Sequence, residues 1–64
     1  MPKVRDVIGR LEREGWQLER VKGSHRQYTH PDHPNIVTVS GHPNEDIAAG
    51  TWNDIQRKAG WKSR

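Results

Sequence analysis

Cysteine and phenylalanine are absent from this 64-residue chain, and large aliphatic side chains are few. The absence of cysteine excludes a disulfide framework and thiolate chemistry, and it fits a reducing compartment. Leucine, isoleucine and valine fill only 11 of 64 positions, below the level of about 20% under which disorder is common. Three tryptophans and one tyrosine restore apolar area, and a net charge of +3 causes little self-repulsion. We therefore expect one folded domain with a small hydrophobic core over residues 1–64.

Long hydrophobic runs are also missing. No stretch approaches the roughly 20 apolar residues that a membrane span needs, and the first residues lack the apolar segment of a signal peptide. We expect a soluble, cytoplasmic protein without a membrane partner. The chain has eleven basic and eight acidic residues, and its isoelectric point is near 9.8. This excess favours a polyanionic partner over a cationic one.

The first part of the chain carries apolar residues at helical spacing, with charged residues on the other faces. Proline suits a first helical turn, and Gly15 can adopt the left-handed conformation that ends a helix. The pattern predicts a helix from about Pro2 to Glu14. Its apolar stripe consists of Val4, Val7, Ile8 and Leu11.

Three segments with strand character follow this helix. In the first, the alternation of apolar and polar residues slips near Arg20, which indicates either a bulge or the end of the strand. Gly23 and Ser24 predict a tight turn, and residues 31–35 predict a loop between the second and third strands. The predicted strands are residues 16–22, 25–30 and 36–40.

Residues 41–50 are rich in turn formers and predict a connection. It holds a short apolar anchor at Ile47 and Ala48, for which we expect one helical turn. At the other end of the chain, residues 61–64 predict a tail with one aromatic anchor, Trp61.

A second helix is predicted between these two segments, over residues 52–59. Thr51 has a side chain suited to an N-cap, and Asp54 lies in the favourable first turn. Gly60 supplies the stop. The face that this helix buries carries Trp52, Ile55 and Ala59.

The order of helix, three strands and helix predicts an α+β fold. A three-stranded antiparallel sheet can accept the apolar stripes of both helices on one face, which leaves its other face open to solvent. Side chains alternate between the faces of a strand. If Tyr28, Val37 and Val39 face the helices, His25 and Thr38 therefore face away from them.

One short motif combines a turn, a histidine and cations. Gly23 and Ser24 precede His25, with Lys22 and Arg26 on either side. Imidazole titrates near neutrality, and the cations can hold a polyanion against it. The motif indicates proton transfer on a phosphodiester, with an exposed strand histidine as the alternative interpretation.

Four groups of short motifs follow one another along almost the whole chain. They are Val4-Arg5-Asp6-Val7-Ile8 with Leu11 and Gly15-Trp16, Lys22 to Tyr28 with His30-Pro31, Val37-Thr38-Val39, and Gly50 to Ile55 with Ala59-Gly60. Their order and spacing closely resemble the HicA family of toxins. The resemblance implies a fold like that of double-stranded-RNA-binding domains. It also implies cleavage of messenger RNA without a metal or other cofactor, which blocks translation, and a HicB-like antitoxin that covers the active site.

The resemblance assigns the catalytic role to His25, because this residue occupies the Gly-Ser-His motif of the family. A neutral imidazole acts as a base and an imidazolium as an acid, and both roles are compatible with the sequence. Our hypothesis is that His25 is the base. Tyr28 points away from His25 in a regular strand. Water or a group of the substrate is therefore as good a candidate for the proton donor as Tyr28. RNA-binding roles are predicted for Lys22, Gly23, Ser24 and Arg26.

Other functions are weighed against this one. A non-catalytic double-stranded-RNA-binding module has a similar element order and basic charge, and a module that binds only protein is a third class. A zinc site made from His30, His33 and His42 is disfavoured, because structural zinc usually takes four ligands and often thiolates. The family usually has leucine where this chain has Trp52, a difference that we expect to alter packing and not chemistry.

Overall fold

The computed structural model describes residues 2–61 and confirms the predicted order of helix, three strands and helix. The strands form one antiparallel sheet in the order β1-β2-β3. Across residues 2–61, neither helix has the length and apolar content needed to cross a membrane. The elements are α1 (Val4–Arg13), β1 (Gln17–Lys22), β2 (His25–His30), β3 (His33–Ser40) and α2 (Ala49–Ala59).

The core lies between the two helices and one face of the sheet. Tyr28 and Val37 are opposite each other in the β2–β3 pairing, and Val39 lies on the same face. All three are at most 2% exposed. They belong to a single buried cluster with residues of both helices, so α1 and α2 cover the same face of the sheet, as predicted. The other members of the cluster are Val4, Val7, Leu11, Trp16, Ile47, Ile55 and Ala59.

Both predicted glycine stops are confirmed. Gly15 follows α1 with a φ of +93°, and Gly60 follows α2 with a φ of +77°. Only glycine adopts this left-handed region without steric cost. A Cβ atom at Gly15 would also lie 3.1 Å from Nε2 of His30, so a side chain there meets both backbone strain and a close neighbour.

The connection between β3 and α2 caps α1 and contains no helical turn over residues 41–48, contrary to prediction. The backbone N–H groups of Val4 and Arg5 donate to carbonyls in this connection, and Ile47 N–H donates to the carbonyl of Pro2. The bonds from Val4 and Arg5 satisfy N–H groups that a helix start leaves unpaired, and the connection is held against the start of α1 instead of forming a helical turn of its own. Ile47 is buried as predicted, but Ala48 is exposed and anchors nothing.

The start of α2 was predicted too late. The helix begins at Ala49, and its N-cap is Ala48 without a side-chain hydrogen bond, so Thr51 is inside the helix. The Trp52 N–H already donates to the carbonyl of Ala48 at 2.8 Å. Alanine is the best helix former, which allows the helix to extend upstream of the polar cap signal. Asp54 consequently lies beyond the first turn.

Strand β3 also begins earlier than predicted, because the loop before it is only two residues long. His30 and His33 are paired across the turn Pro31-Asp32. The N–H of Asp32 donates to Nδ1 of His30 at 3.0 Å and supports the turn. A proline at position 34 is tolerated because β3 is an edge strand of the sheet.

Trp61 fastens the end of the described chain to α1, which confirms the predicted aromatic anchor. Its indole N–H donates to Oε1 of Glu14 at 2.6 Å, and the Arg10 guanidinium lies 4.0 Å from the ring centroid. The hydrogen bond from Trp61, together with Arg10, lowers the pKa of the Glu14 carboxyl. The remainder of the predicted tail, residues 62–64, lies outside the described residues.

Candidate nucleic-acid interface

The sheet face opposite the helices, called the open face below, displays His25. This side chain is exposed, and the alternation along β2 places it opposite to the buried Tyr28. Thr38 lies between two buried valines of β3 and therefore also points to the open face, as predicted. Two rows of paired residues cross this face. They are Lys22, His25 and Ser40, and next to them Arg20, Gln27 and Thr38.

A β-bulge decides which side chains of β1 reach the open face. The pairing register shifts between Leu18 and Arg20, so Glu19 is an extra residue in β1. Leu18 is opposite Tyr28 on the helix-covered face, whereas Arg20 is opposite Gln27 on the open face. In a regular strand, two residues separated by two positions would share a face. The slip predicted near Arg20 is therefore a bulge and not the strand end.

Five of the six residues in these two rows line a depression of about 350 Å³, called the first depression below. Two cations and an imidazole contribute to its wall, together with two neutral polar side chains and no carboxylate. A concave surface lined by one sign of charge concentrates ligands of the opposite sign. The depression is therefore suited to an anionic group beside His25. Its lining residues are Arg20, Lys22, His25, Gln27 and Thr38.

Three of the four predicted RNA-binding residues, Lys22, Gly23 and Ser24, lie at or next to this depression. Lys22 is paired with His25 and lines the first depression directly. Gly23 and Ser24 form the two-residue turn that joins them, and Gly23 has a φ of +59°. A Cβ atom at Gly23 meets nothing within 4 Å, so the need for glycine there comes from the backbone conformation and not from crowding.

Arg26, by contrast, lies on the helix-covered face. It is paired with the buried Val39, and its Nη1 donates to the carbonyl of Gly41 at 3.3 Å. The structure therefore does not bring Arg26 together with His25. The cation that takes this place is Arg20, which the sequence reasoning did not select. The signal was present in the slipped alternation, but the position of the bulge became clear only from the pairing of the strands.

Tyr28 is separated from the open face and does not share the environment of His25. Burial is the main cause that raises the pKa of its phenol, Glu12 adds to the rise, and Arg26 opposes it. A raised pKa keeps the phenol neutral over a wider range of pH. The side chain serves as a core residue, 2% exposed, whose ring packs among the buried residues of the sheet and helices.

Two other histidines have structural contacts at the opposite end of the β2–β3 hairpin. His30 accepts a hydrogen bond at Nδ1 from Asp32 N–H, so Nε2 carries the proton that it donates to the carbonyl of Glu14 at 2.9 Å. His33 stacks on Trp16 with a centroid distance of 5.0 Å. Within the part of the chain that the structure describes, no three histidine, cysteine or carboxylate side chains are grouped to hold a metal ion.

Comparison with known proteins places these features in a family. A family model described as the HicA toxin of bacterial toxin–antitoxin systems matches residues 4–61. The match includes every element from α1 to α2 and all residues that line the first depression. No curated protein matches the chain at a significant level.

Proposed function

The chain belongs to the HicA toxin family, and from this premise we propose that it is an endoribonuclease that cleaves messenger RNA at His25. As a toxin of a toxin–antitoxin system, it has an antitoxin partner. The observation that carries the proposal is the exposed imidazole of His25 in a depression that also contains Arg20 and Lys22. Cleavage of messenger RNA then inhibits translation and growth. A HicB-like antitoxin neutralises the toxin by covering this site.

The proposed reaction uses the ribose next to the scissile phosphate as its nucleophile. His25 removes the proton of the 2′-hydroxyl, whose oxygen attacks phosphorus while the bond from phosphorus to O5′ breaks. The leaving oxygen receives a proton from water or from the substrate. The products are a 2′,3′-cyclic phosphate and a 5′-hydroxyl. No metal ion takes part in these steps.

Cations beside His25 stabilise the charge that develops on the phosphate. Arg20 contributes guanidinium donors and Lys22 an ammonium donor to the non-bridging oxygens, and the hairpin turn adds the Gly23 N–H or the Ser24 hydroxyl. The pairing of β1 with β2 fixes the backbone positions from which these donors reach the phosphate. The predicted RNA-binding role of Arg26 stays a prediction, and its position limits it to contacts at the sheet edge near Gly41.

The 2′-hydroxyl requirement gives the direct test of the reaction. We expect the purified protein, in buffer with a strong chelator, to cut an RNA oligonucleotide and leave cyclic phosphate ends. A single 2′-deoxy substitution at a mapped cleavage position is expected to abolish cleavage at that position alone. The products are separated on a denaturing gel and their ends are identified by mass spectrometry.

Two outcomes contradict this proposal in different ways. Continued cleavage at the 2′-deoxy position, with a 5′-phosphate product, rules out attack by the ribose. Intact RNA that is nonetheless bound, with preference for a duplex of about 16 base pairs, identifies the non-catalytic double-stranded-RNA-binding module instead.

A pair of matched arginine variants tests which cation binds the phosphate. We expect Arg20→Gln to lower kcat/KM by about tenfold or more, because a hydrogen bond to a charged group contributes about 1.5–3 kcal/mol. Arg26→Gln removes the same charge from the other face, and we expect its kcat/KM to stay within about threefold of the wild-type value. Initial cleavage rates are measured, with thermal unfolding as the check on stability. A larger loss in Arg26→Gln than in Arg20→Gln overturns the assignment.

A further inference from the structure

The open face holds a second depression beside the first. Its volume is about 320 Å³, and its wall contains Glu19, Arg20, Gln27, Thr29 and Ile36. Arg20 and Gln27 also line the first depression, so the two form a continuous groove. The residues that line only the second depression, Glu19, Thr29 and Ile36, have no role in the reaction proposed above.

The two depressions differ in the charges that line them. The first contains cations and no carboxylate, whereas the second places the Glu19 carboxylate beside Arg20. A carboxylate repels a phosphate but accepts hydrogen bonds from amino groups. Ile36 is 50% exposed and offers an apolar contact within this polar wall. An arginine side chain can stack its guanidinium plane on a nucleobase. The second depression is therefore better suited to a base than to a phosphate.

The bulge holds Glu19 in a defined position over β2. The Thr29 hydroxyl donates to Oε2 of Glu19 at 3.3 Å, across the pairing of the two strands. A carboxylate has about four acceptor sites, so this bond leaves capacity for a ligand. Gln27 lies two residues from His25 along β2, a separation of about 7 Å. Adjacent nucleotides of an extended strand can span that separation.

We propose that the second depression binds the base of a nucleotide that flanks the cleaved phosphodiester, and that Glu19 makes it prefer bases with an exocyclic amino group. Adenine, cytosine and guanine carry such a group, whereas uracil presents carbonyl oxygens in its place. Glutamate accepts a hydrogen bond from the amino group of cytosine in known base recognition. The inference rests on the proposed function, because it assigns a specificity-determining residue to the same reaction.

Chimeric oligonucleotides test this subsite. A single ribonucleotide in a DNA strand restricts cleavage to the phosphodiester on its 3′ side. The bases of the two nucleotides that this phosphodiester joins are varied among adenine, cytosine, guanine, uracil and an abasic residue. We expect the three amino-bearing bases at one of these two positions to be cleaved about tenfold faster than uracil or the abasic residue. Glu19→Gln is expected to reduce this preference to about twofold or less. The control, Glu12→Gln, makes the same change on α1 and is expected to keep the wild-type preference.

The outcomes separate this proposal from the function on which it rests. Equal cleavage rates with all five substituents at both positions overturn the base subsite and leave the ribonuclease intact. A preference that survives in Glu19→Gln overturns the assignment of Glu19. If no chimera is cleaved, affinities for the all-deoxy versions of the same set give the answer. A tenfold preference for amino-bearing bases that Glu19→Gln removes then supports the subsite, and equal affinities overturn it.

Discussion

Replacement of His25 by alanine is expected to abolish detectable RNA cleavage and leave the fold intact. A general base contributes about 10²- to 10⁴-fold to a rate, and the first depression contains no second imidazole. Because His25 is exposed at the end of a hairpin, the truncation removes no buried contact, and we expect a change in unfolding free energy within about 0.5 kcal/mol. The measurements are initial cleavage rates, thermal unfolding and affinity for a 2′-deoxy oligonucleotide.

Two further variants make the result for His25 specific. His42→Ala removes another exposed imidazole, from the connection after β3, and is expected to retain wild-type activity. His25→Lys places a positive charge at the site and removes the imidazole base. Activity in this lysine variant would indicate a purely electrostatic role. Retention of more than about a tenth of the wild-type rate by His25→Ala would remove His25 from the mechanism.

The parts of the fold that sequence predicted well are those that local periodicity determines. The apolar spacing of α1 and the left-handed glycines at its end and at the end of α2 are properties of neighbouring residues. The start of β3 was missed because the pairing of His30 with His33 across two strands shortens the loop before β3. The start of α2 was missed for a local reason: the carbonyl of Ala48 already accepts the first helical bond, and Ala49 is a strong helix former ahead of the polar cap signal.

The candidate site was predictable to the extent that alternation within one strand determines it. His25 and Thr38 reach the open face because Tyr28 and the valines of β3 are buried on the other. Arg26 is adjacent to His25 in sequence and lies on the opposite face for the same reason. The choice of Arg20 depends on an extra residue in β1, and only the pairing with β2 locates that residue at Glu19. Proximity in sequence is thus a poor guide to which cations lie on the same sheet face as a histidine.

Leu11→Ala is expected to remove a large share of the domain's unfolding free energy. Leu11 is fully buried on α1, in a cluster of only ten buried hydrophobic residues in the described part of the chain. Truncation of a buried leucine costs about 2–5 kcal/mol, whereas a domain of this length has a total stability of about 3–10 kcal/mol. Urea unfolding followed by tryptophan fluorescence gives the change in unfolding free energy.

The chain contains its own control for this prediction, because its second leucine lies in a different environment. Leu18 is 49% exposed on the edge strand β1, and Leu18→Ala deletes the same atoms. We expect it to cost about 1 kcal/mol or less, since much of the side chain is already in water and no closed cavity forms. Similar losses in both variants would show that the domain does not depend on the packing of α1 against the sheet. A much larger loss at Leu11 would show that the open face is supported by a core with little stability to spare.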